Sequence, residues 1–133
     1  MVLKRNIKTS KYHVVWTPKY RKRFLCGAIK YNVESSLKHK VSELNVVIEN
    51  IEVMPDHVHL FISIPITLSI SKVVQQLKGY SSYKTRKQLK LYKYKGFWSN
   101  GYFCESVGHI SQDTIKKYID NQWKHYCPNS SPH

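Results

Sequence analysis

The run HVHLFISIP at residues 57–65 decides the fold of this chain. Aliphatic residues occupy positions 58, 60, 62 and 64, and His57, His59 and Ser63 alternate with them. Successive side chains of a β-strand point to opposite faces. One face of this strand is therefore predicted to enter the core, and the other to carry both imidazoles about 6–7 Å apart along the chain. Pro65 is predicted to end the strand.

Further strands and helices are predicted on both sides of this run. Residues 12–17 and 45–54 are rich in β-branched and aromatic residues and predict two earlier strands. Apolar residues at spacings of three and four predict a helix over 28–44, and another from an N-cap at Ser69 to about residue 88. A fourth strand is predicted over 101–107, before a last helix that begins near Ser111.

The predicted order is β-α-β-β-α-β with one extra helix, which is typical of the split β-α-β, ferredoxin-like arrangement. The fold class is therefore α+β, an RRM-like sandwich in which two helices cover one face of an antiparallel sheet. The other face is left for ligands or for the extra C-terminal helix. Residues 1–127 are expected to form a single domain, and 128–133 a flexible tail.

The charge of the chain indicates its class of partner. With 22 Lys and Arg against 8 Asp and Glu, the 133 residues carry a formal charge of +14. Residues 1–33 and 57–104 contain no acidic residue. Such stretches often form only a solvated face, but two of them in one small domain favour a surface for a polyanion. An aromatic content of 13% favours single-stranded nucleic acid, on whose bases aromatic rings stack.

Other classes of protein are disfavoured by the same sequence. No apolar run approaches the roughly 20 residues of a membrane span, and the N-terminus lacks the apolar core of a signal peptide. The three cysteines form no CxxC pair, which argues against a disulfide framework or a structural zinc site. A cytoplasmic protein without a membrane partner is therefore expected.

Two pairs of residues could carry chemistry. His57 and His59 share a strand face and could hold one divalent metal, although two surface histidines would give the same pattern. Tyr118 and Gln122 lie four apart on the last helix, so their side chains meet. They could be a nucleophile and an oxygen ligand, or a tyrosine at the margin of the core beside a solvated glutamine. Asp56 could orient an imidazole, or simply belong to a turn.

Three blocks of sequence resemble the single-tyrosine HUH transposases of the insertion-sequence 200/605 family (TnpA-type), where HUH means His, a hydrophobe, His. They are VVWTPKYR at 14–21, VMPDHVHL at 53–60, and a C-terminal block from FWS at 97–99 to Gln122. The segment KGYSS at 78–82 fits as well. The resemblance extends from about residue 12 to residue 122.

This resemblance implies a chemistry for both pairs. His57, His59 and Gln122 would bind one Mg²⁺ or Mn²⁺. Tyr118 would attack a phosphodiester of single-stranded DNA and leave a 5′-phosphotyrosine and a free 3′-OH. The covalent intermediate would allow rejoining without ATP, so that a small insertion sequence is excised and inserted. A prokaryotic cytoplasmic protein that joins the nucleoid when it acts is implied.

The resemblance also implies partners: single-stranded DNA with hairpins at the ends of the element, and a second copy of the chain in a homodimer with composite active sites. The basic stretches would then hold folded DNA by its backbone and shape. The candidate contacts are Arg21, Lys22, Arg23, Lys78, Lys84, Arg86 and Lys87. Trp16 and Tyr20 are stacking or core residues.

Two rival hypotheses remain at this stage. A ferredoxin-like module that binds single-stranded DNA or RNA without cutting it would explain the charge and the aromatic residues. It would not need two histidines on one strand face or the Tyr118–Gln122 spacing. A domesticated, repeat-associated HUH tyrosine nuclease would keep the chemistry and change only the biological role.

Overall fold

A computed structural model describes residues 8–91 and 96–107 of the chain. Its elements follow the predicted order as far as the fourth strand, with a short 3-10 turn after the first. They are β1 (Thr9–Trp16), the 3-10 turn (Lys19–Arg21), α1 (Gly27–Glu43), β2 (Val47–Met54), β3 (His57–Pro65), α2 (Ile70–Leu89) and β4 (Phe103–Ser106). The predicted last helix and the proposed boundary at residue 127 lie outside the described residues.

The four strands form one antiparallel sheet in the order β2-β3-β1-β4. β3 lies between β1 and β2, and its pairing with β1 runs from Thr9 opposite Pro65 to Trp16 opposite Val58. Strands β2 and β3 are consecutive in the chain and form a hairpin. This order is that of the split β-α-β fold, so the predicted α+β class is confirmed.

Local sequence explains where these elements begin and end. Ser69 caps α2 as predicted, because its hydroxyl accepts a hydrogen bond of 3.1 Å from the Lys72 backbone N–H. Lys90 ends α2 in a left-handed conformation. Asn45 also has a positive φ of 60°, which Asn tolerates better than most residues. β2 therefore begins at Val47, two residues later than predicted. β1 begins at Thr9, three residues earlier than predicted.

The core lies between one face of the sheet and the two helices. The alternate residues of β3 are almost completely buried, and they join one cluster with side chains of β1, β2 and both helices. The cluster contains Val58, Leu60, Ile62 and Ile64 of β3, Val33 and Leu37 of α1, and Val73, Val74 and Leu77 of α2. The predicted division of β3 into a core face and a polar face is confirmed.

A β-bulge interrupts the pairing of β2 with β3. Ile48 lies opposite Ile62, but Asn50 lies opposite Phe61, so Glu49 is an extra residue on β2. The bulge allows Ile48 and Ile51, which are three apart, to face the core together. The Glu49 carboxylate accepts a hydrogen bond of 2.9 Å from the Ser63 hydroxyl on the opposite face.

Two further expectations concern membranes and cysteines. Among the described helices, none has the length and apolar character needed to cross a membrane. Cys104 is a free, half-buried thiol. Cys26 is disulfide-bonded, which the argument against a disulfide framework did not predict. The absence of a CxxC pair argues against zinc sites, but it does not exclude a single bridge.

We expect Leu60→Ala to lower the free energy of unfolding by about 2–5 kcal/mol, because Leu60 is fully buried in the central strand and its removal leaves a cavity. Urea unfolding at neutral pH measures the change. Ile66→Ala, at a position that is 58% exposed just after β3, is the control and should cost under about 0.5 kcal/mol. Equal losses in both variants would contradict this account of the core.

Candidate functional site

The sheet surface opposite the helices, here called the histidine face, brings together the polar residues of β3 and β1. His59 lies opposite Val15, and Phe61 lies opposite His13. Directly opposed residues of an antiparallel pair share a face. The members on these two strands are His57, His59, Phe61 and Ser63 of β3, and Lys11, His13 and Val15 of β1. The predicted placement of His57 and His59 on one strand face is thus observed.

His57 is held by the residue before it. Its Nδ1 donates a hydrogen bond of 2.8 Å to Oδ1 of Asp56, and both side chains are buried. This contact leaves Nε2 of His57 as the nitrogen that can bind a ligand. The sequence allowed Asp56 to be either an orienting residue or a turn residue, and the structure shows that it contacts the imidazole. The other carboxylate oxygen, Oδ2, is buried and has no hydrogen-bond partner among the described residues.

A third histidine belongs to this face, although the sequence showed no partner for it. Nδ1 of His13 lies 3.3 Å from Nε2 of His59, and the His13 ring stacks on Phe61 with centroids 4.8 Å apart. The missed signal is the register of β1 against β3, which places these residues on adjacent strands but is not visible in either segment alone. The other ring nitrogen of His59, Nδ1, lies 3.9 Å from the Glu52 carboxylate.

The surroundings of His13 and His59 favour the neutral form of both imidazoles. Burial lowers the pKa of His59, and the imidazoles of His13 and His57 lower it further against the opposing effect of Glu52. Burial also lowers the pKa of His13, and Glu105 on β4 partly offsets this effect. Neutral imidazole is the form that binds metal ions. The electrostatics of the site therefore suit a cation held by nitrogen ligands.

A divalent cation fits part of this arrangement. The buried carboxylate of Asp56 and the imidazole of His57 that it orients are typical of a metal ligand with its supporting residue. Within residues 8–91 and 96–107, however, no three His, Cys, Asp or Glu side chains form a metal-binding group. A metal here would need a ligand from elsewhere. The predicted ligand Gln122 and the predicted nucleophile Tyr118 both lie outside the described residues.

The predicted DNA contacts lie in two regions. Arg21, Lys22 and Arg23 are exposed on the loop after β1, whereas the others lie on α2. Arg86 and Lys87 line a groove of about 600 Å³ with Tyr83, and Lys84 lines another of about 300 Å³ with His39 and Tyr80. Their contact with DNA stays a prediction.

Lys78 has a visible role inside the protein. Its ammonium group donates hydrogen bonds of 2.8 Å to the carbonyl oxygens of Ser99 and Gly101, and burial lowers its pKa. Lys78 thereby ties α2 to the segment that leads into β4.

The two aromatic candidates differ in their exposure to solvent. Trp16 is 1% exposed and lies in the core, whereas Tyr20 is 79% exposed.

Comparison with known proteins relates the chain to transposases. The model of the family described as "Transposase IS200 like" matches residues 6–122. The transposase for insertion sequence element IS200 of Salmonella typhimurium (strain LT2) is 36% identical over 116 residues, which cover 84% of this chain and 76% of that protein. The ISDra2 transposase TnpA of Deinococcus radiodurans is 32% identical over 115 residues, covering 84% and 82%.

Solved structures show the same fold. A Deinococcus radiodurans R1 protein described as a candidate transposase superposes with a TM-score of 0.76 at 24% identity, over 90% of this chain and 95% of that one. A REP-associated tyrosine transposase, solved bound to a REP hairpin, superposes with a TM-score of 0.59 at 11% identity, over 90% of this chain and 68% of that one.

We expect the stability of the protein to fall as the pH drops below about 6.5, in part because of His13 and His59. Well above that pH both imidazoles are neutral in the folded and unfolded states, so their protonation does not lower the free energy of unfolding. Below it the unfolded chain takes up protons that the folded protein resists, since both pKa values are lowered by folding.

Urea unfolding at about pH 7.5 and about pH 5.5 tests this expectation. His13→Gln combined with His59→Gln should reduce the loss of stability between the two pH values. His39→Gln, which removes an exposed imidazole from the surface of α1, is the control. An equal reduction in the His39 variant would contradict the assignment to His13 and His59.

Proposed function

The chain belongs to the family of IS200-like transposases, and from that premise we propose that it cleaves and rejoins single-stranded DNA through a tyrosine–DNA intermediate. The observation that carries this proposal is the pair of imidazoles on the histidine face, one of them oriented by a buried carboxylate. A surface that only bound DNA would not need that arrangement, because phosphates are held by cations and hydrogen-bond donors.

His57, His59 and Gln122 are the proposed ligands of one Mg²⁺ or Mn²⁺. Asp56 supports this assignment because it holds the Nδ1 proton of His57 and leaves Nε2 for the ligand. The neutral state of His59, which its burial favours, supports it as well. A bound cation would neutralise charge on the scissile phosphate and polarise its P–O bonds. The amide oxygen of Gln122 suits Mg²⁺ or Mn²⁺, because both ions favour carbonyl, carboxylate and water oxygens.

Tyr118 is the proposed nucleophile. Its phenolic oxygen would form a bond to phosphorus, the bond from phosphorus to the 3′ oxygen would break, and the leaving strand would end in a 3′-OH. The downstream strand would remain attached as a 5′-phosphotyrosine. The reverse attack by a 3′-OH on this phosphotyrosine would rejoin DNA. No ATP would be needed, because the phosphotyrosine keeps the energy of the original phosphodiester bond.

The basic residues of the loop after β1 and of α2 are proposed to hold the DNA. Their charge would neutralise phosphates whatever the base sequence. A REP-associated tyrosine transposase of similar fold was solved on a hairpin, which supports the proposal that hairpins at the element ends are bound here too. We also propose that two copies form a homodimer with composite sites and act on DNA at the nucleoid.

We expect a covalent adduct when the protein meets a single-stranded oligonucleotide from the end of its own element together with Mg²⁺ or Mn²⁺. A denaturing gel detects it as a shifted protein band. Tyr118→Phe and EDTA should each abolish the adduct, because one removes the nucleophilic oxygen and the other removes the cation. Duplex DNA of the same sequence should not be cleaved.

Tyr31→Phe provides the matched control, since it removes the hydroxyl of an exposed tyrosine on α1. An adduct that survives Tyr118→Phe would overturn the choice of nucleophile. Binding of the true end sequence without any adduct would instead favour a module that holds single-stranded DNA and does not cut it.

Asp56→Asn is expected to weaken Mn²⁺ binding by about 10-fold or more, because His57 loses the carboxylate that fixes its ring and raises its basicity. Titration of Mn²⁺ followed by electron paramagnetic resonance measures the affinity without DNA. Glu34→Gln, which removes one acidic charge from α1, is the control. Unchanged affinity in the Asp56 variant would show that this carboxylate does not support a metal ligand.

A further inference from the structure

The loop after β1, residues 18–23, holds a tyrosine in an unusual backbone conformation. Tyr20 has φ 60° and ψ 16°, and the next residue, Arg21, has φ 50°. Both angles lie in the left-handed region, where a Cβ is crowded by the backbone and Gly or Asn is the usual occupant. Two such residues in succession require that the surrounding structure hold them, and strain of this kind is concentrated at functional sites.

The loop is fixed by its neighbours rather than by the Tyr20 side chain. The Lys19 N–H donates a hydrogen bond of 3.0 Å to the Phe97 carbonyl, and Pro18 forms an antiparallel bridge with Trp98. Gly96 packs so closely that a Cβ there would overlap the Lys19 side chain. Phe97 and Trp98 are in turn anchored in or against the core.

The result is an exposed aromatic ring on a rigid support. The side chain of Tyr20 is 79% exposed, the highest value among the large hydrophobic side chains of the described residues. The Lys19 ammonium lies 5.6 Å from the centre of its ring. Because the ring is mostly exposed, it buries little surface against the described residues that could offset the backbone strain at Tyr20.

The loop lies at the end of the sheet where β3 begins. β1 ends at Trp16, which is paired with Val58, so the chain leaves the sheet at the end where His57 begins β3. On its return, the Leu25 N–H donates a hydrogen bond of 3.0 Å to the carbonyl of Pro55, next to Asp56. Tyr20 is therefore carried at the same end of the sheet as the proposed metal ligand His57.

We propose that Tyr20 is a stacking platform for one unpaired base of the DNA strand bound at the histidine face. This inference rests on the proposed function, and it assigns to one residue the task of fixing the register of the strand. A base of single-stranded DNA has exposed faces, and an aromatic ring can stack on either of them whatever the base identity. The adjacent cationic side chains suit the phosphates on both sides of such a base.

The experiment measures the affinity of the protein for a fluorescent single-stranded oligonucleotide from the element end, in EDTA so that no cleavage occurs. Tyr20→Ala should weaken binding by about 5- to 150-fold, the range for loss of one stacked base, and Tyr20→Phe or Tyr20→Trp should restore it. Tyr31→Ala, at a tyrosine that is 71% exposed on helical backbone, is the matched control and should bind as wild type.

Glycine variants separate stacking from structure. Tyr20→Gly suits the left-handed backbone, so its thermal midpoint should be at or above that of wild type while its DNA affinity falls as in Tyr20→Ala. Tyr31→Gly should lower the thermal midpoint by a few degrees and leave DNA affinity unchanged, because glycine is unfavourable within a helix.

An abasic site moved along the oligonucleotide locates the stacked base. Wild type should lose affinity at one position, and Tyr20→Ala should be insensitive to the abasic site at that same position. If wild type binds while the Tyr20 variants bind equally well, or if Tyr20→Ala dissociates a dimer on size-exclusion chromatography, the stacking proposal is overturned and the proposed function stands. If wild type binds no single-stranded DNA, the proposed function itself fails.

Discussion

The alternation of side chains along β3 is the constraint on which the rest of the structure depends. β3 is hydrogen-bonded on both sides, to β1 and to β2, so its register is fixed by two partners. A slip of one residue would move His57 and His59 into the core and turn Leu60 and Ile62 outward. The same strand thus supplies the centre of the hydrophobic core and the imidazoles of the site, and the stability of one fixes the geometry of the other.

The few acidic residues of this basic chain are concentrated around the histidine face. Four of the eight Asp and Glu residues contact or face its members: Glu49 beside Ser63, Glu52 beside His59, Asp56 on His57 and Glu105 opposite His13. These carboxylates place negative charge beside the imidazoles of a protein whose formal charge is +14. Charge of that sign would favour a small cation at the histidines, whereas the excess positive charge of the chain would favour a polyanion around them.

Local periodicity predicted the fold well because each element carries its own pattern, such as the alternation in β3 or the Ser69 cap of α2. It predicted the shared face of His57 and His59 for the same reason. It could not predict the contact of His13 with His59, because that contact depends on the register of strands separated by 46 residues in the chain. It could not predict the left-handed Tyr20 either, since the loop is held in part by contacts with residues 97–99, which are far away in the chain.

Because of the bulge at Glu49, strand β2 can lose one residue without a change in which side chains face the core. A strand without Glu49 would still place Ile48 and Ile51 in the core and Glu52 beside His59, because the extra residue is outside the alternation. Removal of Glu52 or Val53 would instead turn Ile51 away from the core. The hairpin can therefore lose one residue at the bulge while the spacing around the histidines is preserved.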